Sequence, residues 1–210
     1  MHKDISPSIL YFGTPVALIS TLNEDGSPNL APMSSAWWLG WTCMLGLGQM
    51  GKTSENLIRT RECVINLPSA SMAASVDRLA MTTGKNPIPP RKQEWGYHYE
   101  PDKFGTSELT QAPSLTVAPP RVLECPVQME GRVHEYRPFG KNVSAYAFEV
   151  HIEKLHVDEN ILEPGSDRHI DPTLWQPLIM SFCRFFGLGG EVHPSRLAQS
   201  GFMKAVRAAK

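Results

Sequence analysis

Residues 46–56, GLGQMGKTSEN, hold a glycine-rich turn followed by a lysine, two hydroxyl side chains and an asparagine. Three kinds of phosphate site fit this spacing. Gly46, Gly51, Lys52 and Thr53 satisfy the P-loop pattern G-x-x-x-x-G-K-[ST], while Gly46, Gly48 and Gly51 satisfy the dinucleotide pattern G-x-G-x-x-G. The third kind, a site for one phosphate monoester, needs only what all three share. Flexible glycines lead into a helix, expected over 54–61, whose first N–H groups are unpaired and whose dipole favours an anion. Lys52 adds a point charge, Thr53 stands where an N-cap hydroxyl belongs, and Asn56 follows one turn on, facing the same end. The purely structural alternative is a solvated lysine and a helix-capping threonine.

The flanking sequence separates these readings. Upstream, residues 15–22 (PVALISTL) are β-branched and apolar, and Asn23-Glu24-Asp25-Gly26 carries the Asp-Gly signal of a tight hairpin. The return strand places Asn29, Ala31 and Met33 on one side and Leu30, Pro32 and Ser34 on the other, and its prolines put it at an edge. Residues 37–47 read as an apolar strand with a turn at Leu39-Gly40, in which Trp37 and Trp38 are core aromatics. Downstream come a short buried strand at 63–67, ended by Pro68, and a helix expected over 72–81. Residues 84–113 are punctuated by five prolines and carry Trp95, Tyr97, Tyr99 and Phe104. They read as an aromatic-anchored excursion that closes a barrel or a subunit contact, or as a lid on a ligand pocket. Two long strands, 121–136 and 143–157, form a hairpin; an aromatic segment at 175–186 and a basic helix candidate after Gly190 complete the chain. Many short strands with two or three helices indicate a mainly β fold with α embellishment, an antiparallel barrel and not an alternating βαβ layout.

That architecture counts against two of the three sites. A P-loop needs a parallel sheet and a downstream apolar strand ending in Asp for Mg²⁺, and the nearest imitation, 145–158, is interrupted by Glu149, Glu153 and Lys154. The dinucleotide motif needs an acid closing the next strand, where this chain has Pro68. The monoester site remains, and the strand ahead of it supplies what a flavin ring requires. Backbone groups are released from pairing at Pro32, and Asn29, Ser34 and Ser35 add donors and acceptors to match a pyrimidine edge.

Charge and composition narrow the partners. Twenty basic residues against 21 acidic ones give a net charge of −1 without a basic cluster, so no nucleic-acid partner is expected. The 210 residues suit a single domain over 1–210. The N-terminus lacks a signal-peptide core and no run approaches the roughly 18 apolar residues of a membrane span, which leads to the expectation of a cytoplasmic protein with no membrane partner. The four cysteines form no C-x-x-C and read as small buried apolar residues. Among the seven histidines there is no H-E-x-x-H, and His151 and His156, five apart in a strand, are expected on opposite faces, so no metal site is expected. No triad or carboxylate pair stands out; no catalytic residue is nominated, as suits a protein whose cofactor does the chemistry.

The ordered set PVALIST, Asp25-Gly26, Asn29-x-Ala31-Pro32-x-Ser34-Ser35, Lys52-Thr53-x-x-Asn56 and Cys63-Val64-Ile65-Asn66-Leu67 resembles the flavin reductase-like family, which includes the flavoredoxins. Glu124-Cys125 and Phe148-Glu149-Val150 in the later hairpin are also similar. The resemblance implies an FMN-binding split β-barrel of Greek-key antiparallel type, assembled as a homodimer with FMN near the subunit interface. It implies a phosphate held at Lys52, Thr53 and Asn56, and a ring lying along Asn29, Ala31, Pro32, Met33, Ser34 and Ser35. The implied activity is that of an oxidoreductase passing hydride from NAD(P)H to flavin and on to a second flavin or another acceptor. The alternative is a non-enzymatic FMN-binding electron-transfer protein, and a P-loop phosphotransferase stands behind both.

Overall fold

The computed structural model describes residues 1–199, so the basic helix expected after Gly190 lies largely outside the described residues. Strands β1 (Phe12–Pro15), β2 (Ala17–Leu22), β3 (Pro28–Met33), β4 (Ala36–Leu39) and β5 (Thr42–Gly48) precede α1 (Lys52–Thr60) and β6 (Glu62–Leu67). Short elements follow: α2 (Ala73–Asp77), β7 (Thr82–Thr83), α3 (Pro90–Glu94), β8 (His98–Tyr99), α4 (Lys103–Ser107), β9 (Gln111–Ala112) and β10 (Arg121–Val122). The long pair β11 (Val127–Phe139) and β12 (Ala145–Val157) and the short pair β13 (Ile179–Ser181) and β14 (Arg184–Phe186) come last.

Seven antiparallel strands form the main sheet in the order β3-β2-β6-β11-β12-β5-β4. Its two edge strands, β3 and β4, are consecutive in sequence with only Ser34 and Ser35 between them. Two residues reach at most about 7 Å, so the sheet must curl until its edges nearly meet. At that seam the Gly46 N–H donates to the Ser35 carbonyl at 2.8 Å. A Cβ at Gly46 would stand 3.1 Å from the Ser35 Cβ, which is why a glycine occupies the crossing. The ladder itself does not close there, and the barrel is split. The connection carrying α1 takes the chain from β5 across to β6, beside β2, which is a Greek-key route.

The barrel interior is filled by Ile19, Leu45, Ile65, Val133, Phe148 and Val150 with their neighbours. β2 is buried on both faces: Ala17 and Ile19 enter the barrel, and Leu18, with Val16 just ahead of the strand, enters a second core with Leu30, Phe104, Leu109 and Leu178. The 84–113 excursion is therefore fixed to the outer side of β2 and β3 by Phe104, whose burial contributes roughly 2–3 kcal/mol.

Several local expectations change. The helix expected over 72–81 stops at Asp77, since Thr82 and Thr83 are drawn into parallel pairing with His98 and Tyr99. Trp37 is 57% exposed while Trp38 packs on the barrel core, because neighbours on a strand face opposite sides. Cys43, Cys63 and Cys125 are buried thiols, but Cys183 is exposed in the β13–β14 turn at φ 61°. His151 and His156 share the outer face: β12 has an unmatched residue, Glu153, between Ile152 opposite Gly131 and Lys154 opposite Glu130, and that bulge shifts the alternation. No helix among the described residues is long and apolar enough to cross a membrane.

Candidate functional site

A cavity of about 880 Å³ opens beside the seam. Asn29, Ala31, Pro32, Met33, Ser34 and Ser35 form one wall, and Lys52, Thr53 and Ser54 at the start of α1 form its end. β3 is an edge strand, so one row of its backbone groups has no strand partner. The remaining walls come from the excursion, with Thr83, Lys92 and Lys103, and from the last hairpin, with Met180 and Phe185.

Helix α1 begins at Lys52 with Gly51 as its N-cap, and no side chain caps it. Thr53 is thus inside the helix and not the cap expected from the sequence. The first N–H to find a helical acceptor is that of Glu55, to the Gly51 carbonyl at 3.3 Å, which leaves those of Lys52, Thr53 and Ser54 open. The Thr53 hydroxyl accepts from Asn29 Nδ2 at 3.0 Å. Asn29 Oδ1 is buried without a partner. Gly84 passes so near that a Cβ there would lie 2.7 Å from that oxygen and 3.2 Å from Lys52 Cγ.

Two nominated residues behave differently from expectation. Asn56 is fully buried and does not line the cavity. Its Nδ2 donates to Thr21 Oγ1 at 3.1 Å and Asn23 Oδ1 at 3.0 Å, so it lies one turn deeper on the Thr53 face and ties α1 to the first hairpin. Lys52 lines the cavity, but its ammonium turns to Glu24 at 2.6 Å and Glu55 at 2.9 Å. Burial works against this charge, and the two carboxylates outweigh it and raise its pKa. Both acids line a depression of about 580 Å³ that shares Asn29, Lys52 and Gly84 with the cavity.

The excursion adds a buried cation with no ion-pair partner among the described residues. Lys103 is 4% exposed and lines the cavity; its carbonyl accepts from the Ser107 hydroxyl at 2.7 Å, and its ammonium makes no ion pair or hydrogen bond with the described residues. Burial, with the Lys92 charge added, outweighs the attraction of Glu100 and pushes its ammonium down to about 8. Lys92 is shifted downward as well, by burial and by Lys85; its Nζ donates to Thr83 Oγ1 at 3.3 Å and lies 5.2 Å from the centre of the Tyr97 ring. An unpaired buried ammonium costs several kcal/mol, a cost that an anion in the cavity would remove. Sequence reasoning missed both lysines, which carry no motif. The one signal was Asp102 as an N-cap ahead of Phe104, which locks α4 against β3 and takes Lys103 inward with it.

The cavity lining therefore combines the open N–H groups of α1, the Thr53 hydroxyl and the cationic side chains of Arg91, Lys92 and Lys103 with apolar side chains such as Met33, Met180 and Phe185. That set fits a planar ring carrying a phosphate tail. Residues 9–188 match the flavin reductase like domain. The chain belongs to the flavin reductase-like family. It is 43% identical over 190 residues, 90% of this chain and 91% of the relative, to the uncharacterized protein YdfE of Bacillus subtilis (strain 168). Its fold is similar to flavoredoxin of Desulfovibrio vulgaris (Miyazaki F), with a TM-score of 0.77, 21% identity and coverage of 95% of this chain and 100% of that one. A Shewanella frigidimarina NCIMB 400 protein with a split barrel domain gives a TM-score of 0.69 at 18% identity, covering 87% and 86%. As a member of the flavin reductase-like family the protein is a flavin-related oxidoreductase with the split-barrel architecture.

Proposed function

We propose that the cavity binds FMN and that the protein is an FMN-dependent oxidoreductase, taking hydride from NAD(P)H and passing electrons to a second flavin or another acceptor. The observation that carries this reading is one cavity lined by Lys92 and Lys103, which make no ion pair among the described residues, by the open start of α1 and by the free edge of β3. The bound flavin supplies the redox chemistry. The chain supplies binding and orientation. Thr53, the α1 N–H groups and the two lysines hold the phosphate, while the β3 backbone with Ser34 and Ser35 aligns the pyrimidine edge. Met180 and Phe185 keep water from that end. A single compact cationic end suits a monoester better than the longer pyrophosphate of a dinucleotide.

Purified protein is expected to show flavin absorbance in the blue and near ultraviolet, and to oxidise NADH or NADPH under air with added free flavin. Bound flavin without turnover would assign the chain to the electron carriers, and a colourless preparation that cannot take up FMN would reject the site. We also propose a homodimer, supported by Trp37 at 57%, Leu39 at 76% and Trp41 at 61% exposure on the β4–β5 hairpin, an apolar patch that a second copy would cover. Sedimentation is expected to give the mass of two chains.

A further inference from the structure

We propose that the outer face of the β11–β12 ribbon carries a divalent transition-metal site formed by His134, Glu149 and His151. The candidate ligand atoms of these three residues all lie within 4.8 Å of one another. Glu149 Oε1 and His151 Nε2 are 2.9 Å apart, and the His134 and His151 rings stack with centroids 4.6 Å apart and planes at 11°.

The strand pattern explains how they meet. Glu149 and His151 are two apart on β12 and share its outward face. His134 arrives from β11 through a shift in register: Val133 pairs with Val150 and Glu135 with Glu149, which leaves His134 unmatched. Val133 and Val150 face the barrel core, and so do Tyr136 and Phe148 on the other side of the shift. The extra residue between them therefore puts both His134 and Glu135 on the outer face. Bulges of this kind re-aim side chains and recur beside functional sites. The same shift sets Glu135 directly opposite Glu149, and like charges across a ladder are destabilising unless a cation lies between them.

Two imidazole nitrogens and a carboxylate oxygen make a borderline donor set suited to Zn²⁺ or Ni²⁺ and poorly suited to Ca²⁺ or Mg²⁺. Bonds of about 2.0–2.1 Å hold ligand atoms about 3.3 Å apart, so on metal binding the widest separation closes by up to about 1.5 Å and the Glu149–His151 contact opens slightly. Both histidines are exposed, so the two rings can unstack and turn their in-plane nitrogens to a common point. Three protein ligands leave at least one position for water or for a ligand from another molecule. The site is independent of the flavin reading, since none of its residues lines the cavity.

Calorimetric titration of chelator-stripped full-length protein with Zn²⁺ tests this. One saturable site per chain is expected, weakened at least tenfold by H134Q, by H151Q and by E149Q, and unaffected by H98Q or H193Q. Thermal melting of the zinc-free variants is expected to match that of the wild type, which reports that the barrel is intact. Absence of saturable binding, or a site that survives both H134Q and H151Q, overturns the proposal.

Discussion

Replacing Lys103 with methionine is expected to lower FMN affinity about 10- to 100-fold while leaving riboflavin affinity within about twofold. The factor follows from the roughly 1.5–3 kcal/mol that a hydrogen bond between charged groups contributes, and riboflavin lacks the phosphate that receives it. Methionine keeps the length of the stem and removes a charge that is costly to bury, so the fold is expected to persist. Lys52→Ala provides the contrast. Its ammonium is already matched by Glu24 and Glu55, so its loss is expected to cost less than about threefold in FMN affinity. The Lys103 ammonium is held down at about 8, so its attraction for an anion is present below that value and fades as pH rises through it. FMN retention is thus expected to weaken on the alkaline side in the wild type, the bound phosphate moving the fall upward, and to be flatter in the K103M variant. Flavin fluorescence titrations with both ligands check each point. Equal losses for FMN and riboflavin, or no loss for either, would remove Lys103 from the phosphate site.

The second large effect is on stability. Glu130 is fully buried on β11, and its carboxylate accepts from the Leu115 N–H at 2.9 and 3.0 Å, from the Thr116 hydroxyl at 2.7 Å and from the Thr116 N–H. His156 Nε2 lies 2.7 Å away on the neighbouring strand. Burial alone would raise this carboxyl, but the Leu115 and Thr116 donors and His156 outweigh it and bring it down to about 2. Glu130→Gln is expected to destabilise the protein by on the order of 3 kcal/mol and to lower Tm by about 10 °C, because the charged acceptor that fixes the Leu115–Thr116 turn is lost. The folded value lies below the ordinary 4.5, so the stabilisation is complete above about 4.5 and is lost as pH falls toward 2. The gap between wild type and variant is therefore expected to be widest near neutrality and to narrow steadily on acidification. Thermal melts at several pH values measure it, and a gap that stays constant down to acid would rule out the charged-acceptor account.

Elements written in contiguous residues were legible from the chain. The Asp25-Gly26 hairpin, the prolines that mark β3 as an edge, the long β11–β12 pair and the helix after the glycine-rich turn are all local patterns. The site was half legible: the structure brings Asn29, Ala31, Pro32, Met33, Ser34, Ser35, Lys52 and Thr53 to one cavity. Asn56 was placed on the correct helix face, but that face continues under the first hairpin, where Thr21 and Asn23 take its amide. Two glycines of the motif also answer local crowding. Gly46 is there because Ser35 crosses it, and Gly51 because a Cβ would stand 3.2 Å from the Gly48 carbonyl.

The sequence by itself determined the strand alternation, the edge, the split-barrel kinship and the anion-favouring start of α1, since each depends on neighbours a few residues away. Only the tertiary structure decided which lysine is buried without an ion-pair contact and which three side chains converge on the outer ribbon. Lys52 is neutralised by Glu24, 28 residues away, and Lys103 is buried by packing against β2 and β3. His134 meets His151 through a register shift between two strands. Burial and charge compensation are properties of neighbours in space, and the chain order does not record them.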